Sequence, residues 1–394
     1  MRRDFKGLMK KYLAVLASFV IMLCLGGVYA WSIVAPELTK EFGFTSAQSQ
    51  SIFGLLIGIL PVTMIFAGKL ERRLGSRALG FIAAILFVSG YLISGFSGGR
   101  FWVVLLGNGV LAGMGTAFGY LAALTSPVKL FPEKKGLMTG IAVGGFGLAA
   151  VALSFILQEM LDSGMGILEA FRVIGLAYGS VIFVSSMFLF NSRDFERGDG
   201  MSAAEILRST DLYRLISGFF FGSFAGLLVV GSLKPIGAAA GVEPGVLVAG
   251  VSIFAIANFA GRISWGLVSD RTGACLTIFM ALSFQAVSIV LLGTMSLTSA
   301  SFLALSAAVG FGFGGNFVLF AKETAEIYGI ENLGLVYPYV SFGYSLGGLF
   351  GPVTGGLLYD CFRDYRHPAV VAGMISMIGA SIFLVECRKI KKRS

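Results

Sequence analysis

Apolar residues run in stretches of about twenty along nearly the whole chain, broken by short polar links, and about that many are needed for one helix to cross a bilayer core. Such runs fall at 12–36, 48–68, 78–97, 101–126, 136–159 and 168–191, then at 213–235, 244–268, 275–296, 300–321, 334–358 and 368–387. Basic residues crowd alternate links: Arg2, Arg3, Lys6, Lys10 and Lys11, then Lys69, Arg72, Arg73 and Arg77, then Lys129, Lys134 and Lys135, and finally the tail RKIKKRS after Cys387. The opposite links hold few, chiefly Lys40, Arg100, Arg363 and Arg366. By the positive-inside rule, both termini are expected in the cytoplasm and the number of spans is even. The opening MRRDFKGLMKKYLAVLASFVIMLCLGG imitates a signal peptide, but its apolar run continues to about Pro36 and reads as an uncleaved first helix. The expected architecture is an all-α membrane protein of twelve transmembrane helices in two pseudo-symmetric six-helix bundles, 1–191 and 213–394. A cytoplasmic linker, 192–212, joins them and carries a short surface helix around 203–208.

Composition agrees with the pattern. Of 394 residues, 56% are hydrophobic and only 13% charged, with a mean hydropathy of +0.86, whereas a soluble domain carries roughly a quarter charged residues. The net charge of +9 is explained by the basic links, so it gives no reason to invoke nucleic acid. Cys24, Cys275, Cys361 and Cys387 have neither metal-like nor disulfide-like spacing. The sequence shows no phosphate loop, no metal cluster and no serine or cysteine with a histidine base, so it implies neither an enzyme nor a cofactor. Any uphill movement of a solute must then draw on a gradient.

The halves repeat. GKLERRLG at 68–75 and GLVSDRTG at 266–273 are offset by 198 residues, as are Gly136 and Gly334, which open the fifth and eleventh runs. Parallel repeats of this kind place a substrate site near the bilayer midplane, between halves that rock around it. Twelve spans with G-x-x-x-D-R-x-G after the eighth resemble the major facilitator superfamily, and the likeness covers essentially the whole chain. In that family the link motif braces the ends of the halves through contacts of its acid with a helix dipole and with arginine, which implies a gating role for Glu71, Arg72, Asp270 and Arg271. The first copy departs from the pattern, with Glu71 one place early and Arg72 where the acid usually stands. GVYAWSIVAPEL, GYLAALTSPVKLFPEKKGLMTGIAVGGFG and NFAGRISWGLVSDRTG further resemble the monocarboxylate transporters and the oxalate/formate antiporters.

Arg262 stands inside the eighth run, about six residues or roughly 9 Å from its expected cytoplasmic end. A guanidinium there costs at least about 2.5–3.5 kcal/mol and cannot escape by losing its proton. No aspartate or glutamate falls in the middle of any run; Glu323 and Glu326 are expected to follow the tenth helix and Asp360 to end the eleventh. A substrate carboxylate offers two oxygens to the planar fork. The competing reading is that Arg262 snorkels to the cytoplasmic side. Asn258, at i−4, shares its helix face and serves either a substrate or a neighbouring helix. Animal monocarboxylate transporters usually have an aspartate here, so proton coupling by that route is missing, although a weak acid can bring its own proton. Oxalate exchangers carry a second cation, a lysine on the eleventh helix; none occurs on this one, which favours a monocarboxylate.

The spans that line the cavity in the resembled family suggest Tyr29, Tyr120, Phe313 and Phe317 as its aromatic wall, with Asn108 and Asn316 as interhelical contacts. His367 lies in an outer link and is set aside as a relay, and Lys234 reads as an interfacial anchor. The expected function is secondary active transport of lactate or pyruvate with a proton by alternating access, in a bacterial inner membrane. The alternative is carboxylate exchange of the oxalate/formate type. The implied partners are a small monocarboxylate, a proton and the lipid bilayer, with no nucleic acid, metal or cofactor.

Overall fold

The computed structural model describes the backbone of residues 2–27, 31–44, 46–190 and 201–393, and among these twelve helical rods follow one another. In the first half α1 comprises Arg2–Leu25 and Trp31–Phe42, α2 is Ser46–Leu74, α3 Ser76–Gly95, α4 Phe101–Leu130, α5 Lys135–Asp162 and α6 Ile167–Ser186. In the second, α7 is Thr210–Ala239, α8 Pro244–Thr272, α9 Ala274–Thr294 and α10 Ser299–Tyr328. There α11 comprises Leu333–Val340 and Phe342–Phe362, and α12 is Arg366–Arg393. Among the described residues, ten helices are long and apolar enough to cross a membrane by length and composition. The linker segment 192–200 lies outside the described residues. Beyond it the short helix Ala203–Arg208 begins at a capping box made by Ser202 and Glu205.

The helices run past the ends that hydropathy suggests. α2 reaches Leu74 rather than 68, α8 reaches Thr272 rather than 268, and α10 reaches Tyr328 rather than 321. Hydropathy falls where lipid contact ends, but backbone hydrogen bonding does not depend on it. Glu323 and Glu326, expected beyond the tenth helix, therefore lie in its last turns. For the same reason the two repeated motifs are mostly helical, and each turn reduces to one glycine, Gly75 at φ 84° and Gly273 at φ 81°. That backbone region strains any residue with a Cβ. Within α4, residues Leu105–Ala112 form a π-helical segment.

The chain gathers into two compact units, Met1–Pro132 with Ile141–Gly200, and Glu133–Gly140 with Met201–Ser394, so the first turns of α5 group with the second unit. Within each, glycines bring helices close, as packing in lipid requires when no hydrophobic force drives helix association. In the first unit, a Cβ on Gly145 of α5 would strike the Phe19 carbonyl of α1, and one on Gly175 of α6 would strike Tyr91 of α3. In the second, Gly343 of α11 abuts the Ile216 carbonyl of α7 and Gly373 of α12 abuts Val290 of α9. Gly145 and Gly343, like Gly175 and Gly373, are offset by 198 residues, so the duplication extends to packing contacts.

The closest seam of the second unit joins α8 and α10. A methyl on Gly310 would overlap the Phe254 carbonyl, one on Gly261 the Phe311 carbonyl, and one on Gly314 the Asn258 carbonyl. Gly314→Ala is expected to cost about 1–3 kcal/mol by overpacking. A lowered unfolding midpoint of the purified protein in detergent checks this; an unchanged midpoint would show that the seam can open without loss. Cys275 and Cys387, unrelated in spacing, meet across α9 and α12, sulfur to sulfur.

Candidate functional site

Arg262 is 2% exposed and is the largest fully buried side chain among the described residues. Its Nε donates to Asn258 Oδ1 at 3.0 Å, and Asn258 Nδ2 donates to the Gly310 carbonyl of α10 at 3.2 Å. Asn258 is thus a positioning residue: its amide spans the seam and its oxygen sets the angle of the guanidinium. The bond to a residue four earlier draws the side chain toward the N-terminal end of α8, following the tilt of helical Cα–Cβ bonds. Snorkelling to the Thr272 end would need the opposite direction. Thr272 lies ten residues on, about 15 Å along the helix.

The guanidinium lies over the Phe317 ring, 4.4 Å from its centroid, where the negative ring face meets the cation. Phe317 in turn meets Phe313 edge-on at 5.5 Å, Tyr344 of α11 at 5.1 Å and Phe219 of α7 at 5.9 Å. The structure therefore brings Arg262, Asn258, Phe313 and Phe317 into one cluster. Phe219 and Tyr344 join it without having been expected, because contacts across helices leave no mark on the apolar pattern of either. Such a nest excludes water from one face of the cation and raises the strength of any ionic contact it makes.

Tyr29 lies outside the described residues. Tyr120 belongs to the first unit, where it is buried edge-on against Phe146 at 5.5 Å. Asn316 is an interhelical contact, donating to Gln285 Oε1 at 3.1 Å while Gln285 Nε2 donates to the Gly222 carbonyl at 2.8 Å. Asn108, on the π segment and 2% exposed, makes no hydrogen bond through its amide among the described residues. His367 stacks on Phe362 with centroids 4.0 Å apart and is exposed. Hydrogen bonds from its backbone N–H and then its ring hold the Asp364 carboxyl below the ordinary aspartate value.

The two motif acids have different surroundings. In the second unit Asp270 accepts from the backbone N–H groups of Gly136 at 2.9 Å and Leu137 at 3.0 Å, in the first turn of α5, and pairs with Lys322 Nζ at 2.9 Å. A carboxylate at a helix N-terminus meets both unsatisfied donors and the positive end of the dipole. Gly136 permits this approach, since a Cβ there would press on the Gly266 carbonyl and Asp270 itself. In the first unit Glu71, 3% exposed, accepts from Ser76 at 2.8 Å, Thr125 at 2.9 Å and Lys129 Nζ at 2.6 Å. Arg72 and Arg271 are exposed, and Lys129 and Lys322 pair with the two acids. One lysine near the end of each half's fourth helix was the available signal, overlooked because Lys129 was counted as a link charge and Lys322 was passed over. A second network, also overlooked, centres on Arg214, which pairs with Asp211, Glu323 and Glu386, each at 3.2 Å.

Comparison with known proteins extends these observations. The chain is 28% identical over 347 residues to an uncharacterised MFS-type transporter, YhjX, of Escherichia coli strain K12, covering 86% of each chain. It is 27% identical over 363 residues to the oxalate:formate antiporter of Oxalobacter formigenes, covering 88% of this chain and 84% of that one. Its fold matches the crystal structure of the E. coli transporter FucP in the outward conformation with a TM-score of 0.73 at 16% identity, over 95% of this chain and 98% of that one. The sequence profile of the Major Facilitator Superfamily matches residues 15–321 and, separately, 215–393. With twelve rods in two glycine-seamed halves and a profile covering most of its length, the chain is a multi-pass membrane transporter rather than an enzyme, and it belongs to the Major Facilitator Superfamily.

Proposed function

We propose that this transporter moves small monocarboxylates, lactate and pyruvate among them, together with a proton by alternating access, in an inner membrane with both termini in the cytoplasm. Arg262 carries this reading. Its buried guanidinium is oriented by Asn258 and backed by Phe317, a setting in which a carboxylate can take two parallel N–H bonds while Phe313 and Phe317 accept an apolar carbon end. One such cation matches one carboxylate, and neutralising it lets the loaded carrier change state. Glu71, Arg72, Asp270 and Arg271 gate the cycle, the bonds that Asp270 accepts from the Gly136 and Leu137 N–H groups being made in one state and released in the other.

A second reading, exchange of one carboxylate for another, is favoured by the amide at Asn258, which offers no exchangeable proton beside Arg262. The relative that the chain resembles at 27% identity is named for such an exchange. Proteoliposomes decide between the two. With an imposed inward proton gradient and no internal substrate, symport is expected to accumulate labelled lactate. Flux that requires internal lactate, formate or oxalate, and ignores the pH gradient, would replace symport by exchange. No movement of lactate, pyruvate, formate or oxalate in either format would remove both readings.

A further inference from the structure

At one end of the first unit, the start of α1, the start of α3, the end of α4 and the residues after α6 enclose a groove of about 380 Å³. Lys10, Lys11 and Arg77 line it together with Leu13, Leu130 and Phe188. The three cations are exposed, and among the described residues none of them forms an ion pair and no carboxylate lines the groove. Arg77 is anchored, its Nε donating to the Leu189 carbonyl at 3.0 Å, and the Lys11 ammonium sits 5.8 Å from the Phe131 ring centroid. Below the cations the wall turns apolar and open, with Leu13 38%, Met187 46% and Phe188 44% exposed.

Topology alone calls for positive charge in a link, but not for a walled groove with a fixed guanidinium above an apolar floor. At a membrane surface that combination matches one class of molecule, with an anionic headgroup at the level of the cations and acyl chains along the floor. We propose that this groove is a binding site for an anionic phospholipid, its phosphate held by Lys10, Lys11 and Arg77 and a chain lying against Leu13 and Phe188. The site belongs wholly to the first unit and is independent of the substrate that the transporter carries.

Native mass spectrometry and thermal unfolding of the purified full chain in neutral detergent test it, with phosphatidylglycerol, phosphatidylcholine and inorganic phosphate as probes. Phosphatidylglycerol is expected to bind more tightly than phosphatidylcholine and to raise the unfolding midpoint. The triple variant Lys10→Gln, Lys11→Gln, Arg77→Gln should lose about tenfold or more of that affinity, since each cation contributes separately. A control with Arg100→Gln and Arg366→Gln should keep it. Should the triple variant fail to fold, the double variant Lys10→Gln, Lys11→Gln retains the Arg77 bond to Leu189 and should still bind several-fold more weakly. Equal binding of the two lipids, undiminished affinity in these variants, or equal stabilisation by inorganic phosphate overturns the proposal, the last because the site would then take a free anion.

Discussion

Uptake of labelled carboxylate into proteoliposomes is expected to fall by about two orders of magnitude in Arg262→Lys, even though the charge is kept. Losing one partner of a buried, hydrogen-bonded ionic contact costs about 2–5 kcal/mol, and 1.4 kcal/mol is a factor of ten. Lysine cannot reproduce the fork: it has no Nε–H for Asn258 Oδ1, and its ammonium is a point charge that does not lie flat on Phe317. The same substitution should change the unfolding midpoint much less than it changes uptake, because a cation remains available at the aromatic face. If Arg262→Lys transports within a few-fold of the parent, planar recognition of a carboxylate by this residue is wrong, whatever the substrate proves to be.

The largest stability effect is expected at Asp270. Asp270→Ala removes the acceptor of two helix N-terminal amides and leaves Lys322, 4% exposed, with the longer 3.4 Å contact to Glu326 as its ion pair among the described residues. Breaking a buried ion pair from one side costs about 3–5 kcal/mol, because the surviving charge stays buried. The remaining Glu326 contact puts the expected loss near the lower end. Adding Lys322→Met removes the stranded charge, so the double variant should unfold at a higher temperature than Asp270→Ala alone, a coupling that a double-mutant cycle measures directly. Additive losses would mean that the two side chains do not act as a pair.

The helical runs and the duplication were legible because lipid imposes length and apolarity, and because the 198-residue offset preserves glycines whose contacts repeat. The Asn258 and Arg262 pair was legible too, since four residues separate neighbours on one helix face. Charged helix ends were not. Lys322 and Glu323 look like link residues by hydropathy, yet they sit in the last turns of α10, where Asp270 and Arg214 meet them from other helices. Sequence pattern likewise says nothing of the π segment in α4, which depends on a local hydrogen-bond register, or of Cys275 and Cys387, brought together by tertiary packing. Phe219 and Tyr344 escaped notice for a related reason: in a chain rich in phenylalanine, only the fold distinguishes a ring packed against Phe317 from one facing lipid.

Gly75 and Gly273 leave a single non-helical residue between α2 and α3, and between α8 and α9. A corner so tight has no slack. A shift of the Thr272 end of α8 must therefore carry the Ala274 end of α9 with it, since one residue cannot stretch, while the two dihedrals of the glycine leave the angle between the rods adjustable, and the same holds for the arm that carries Glu71.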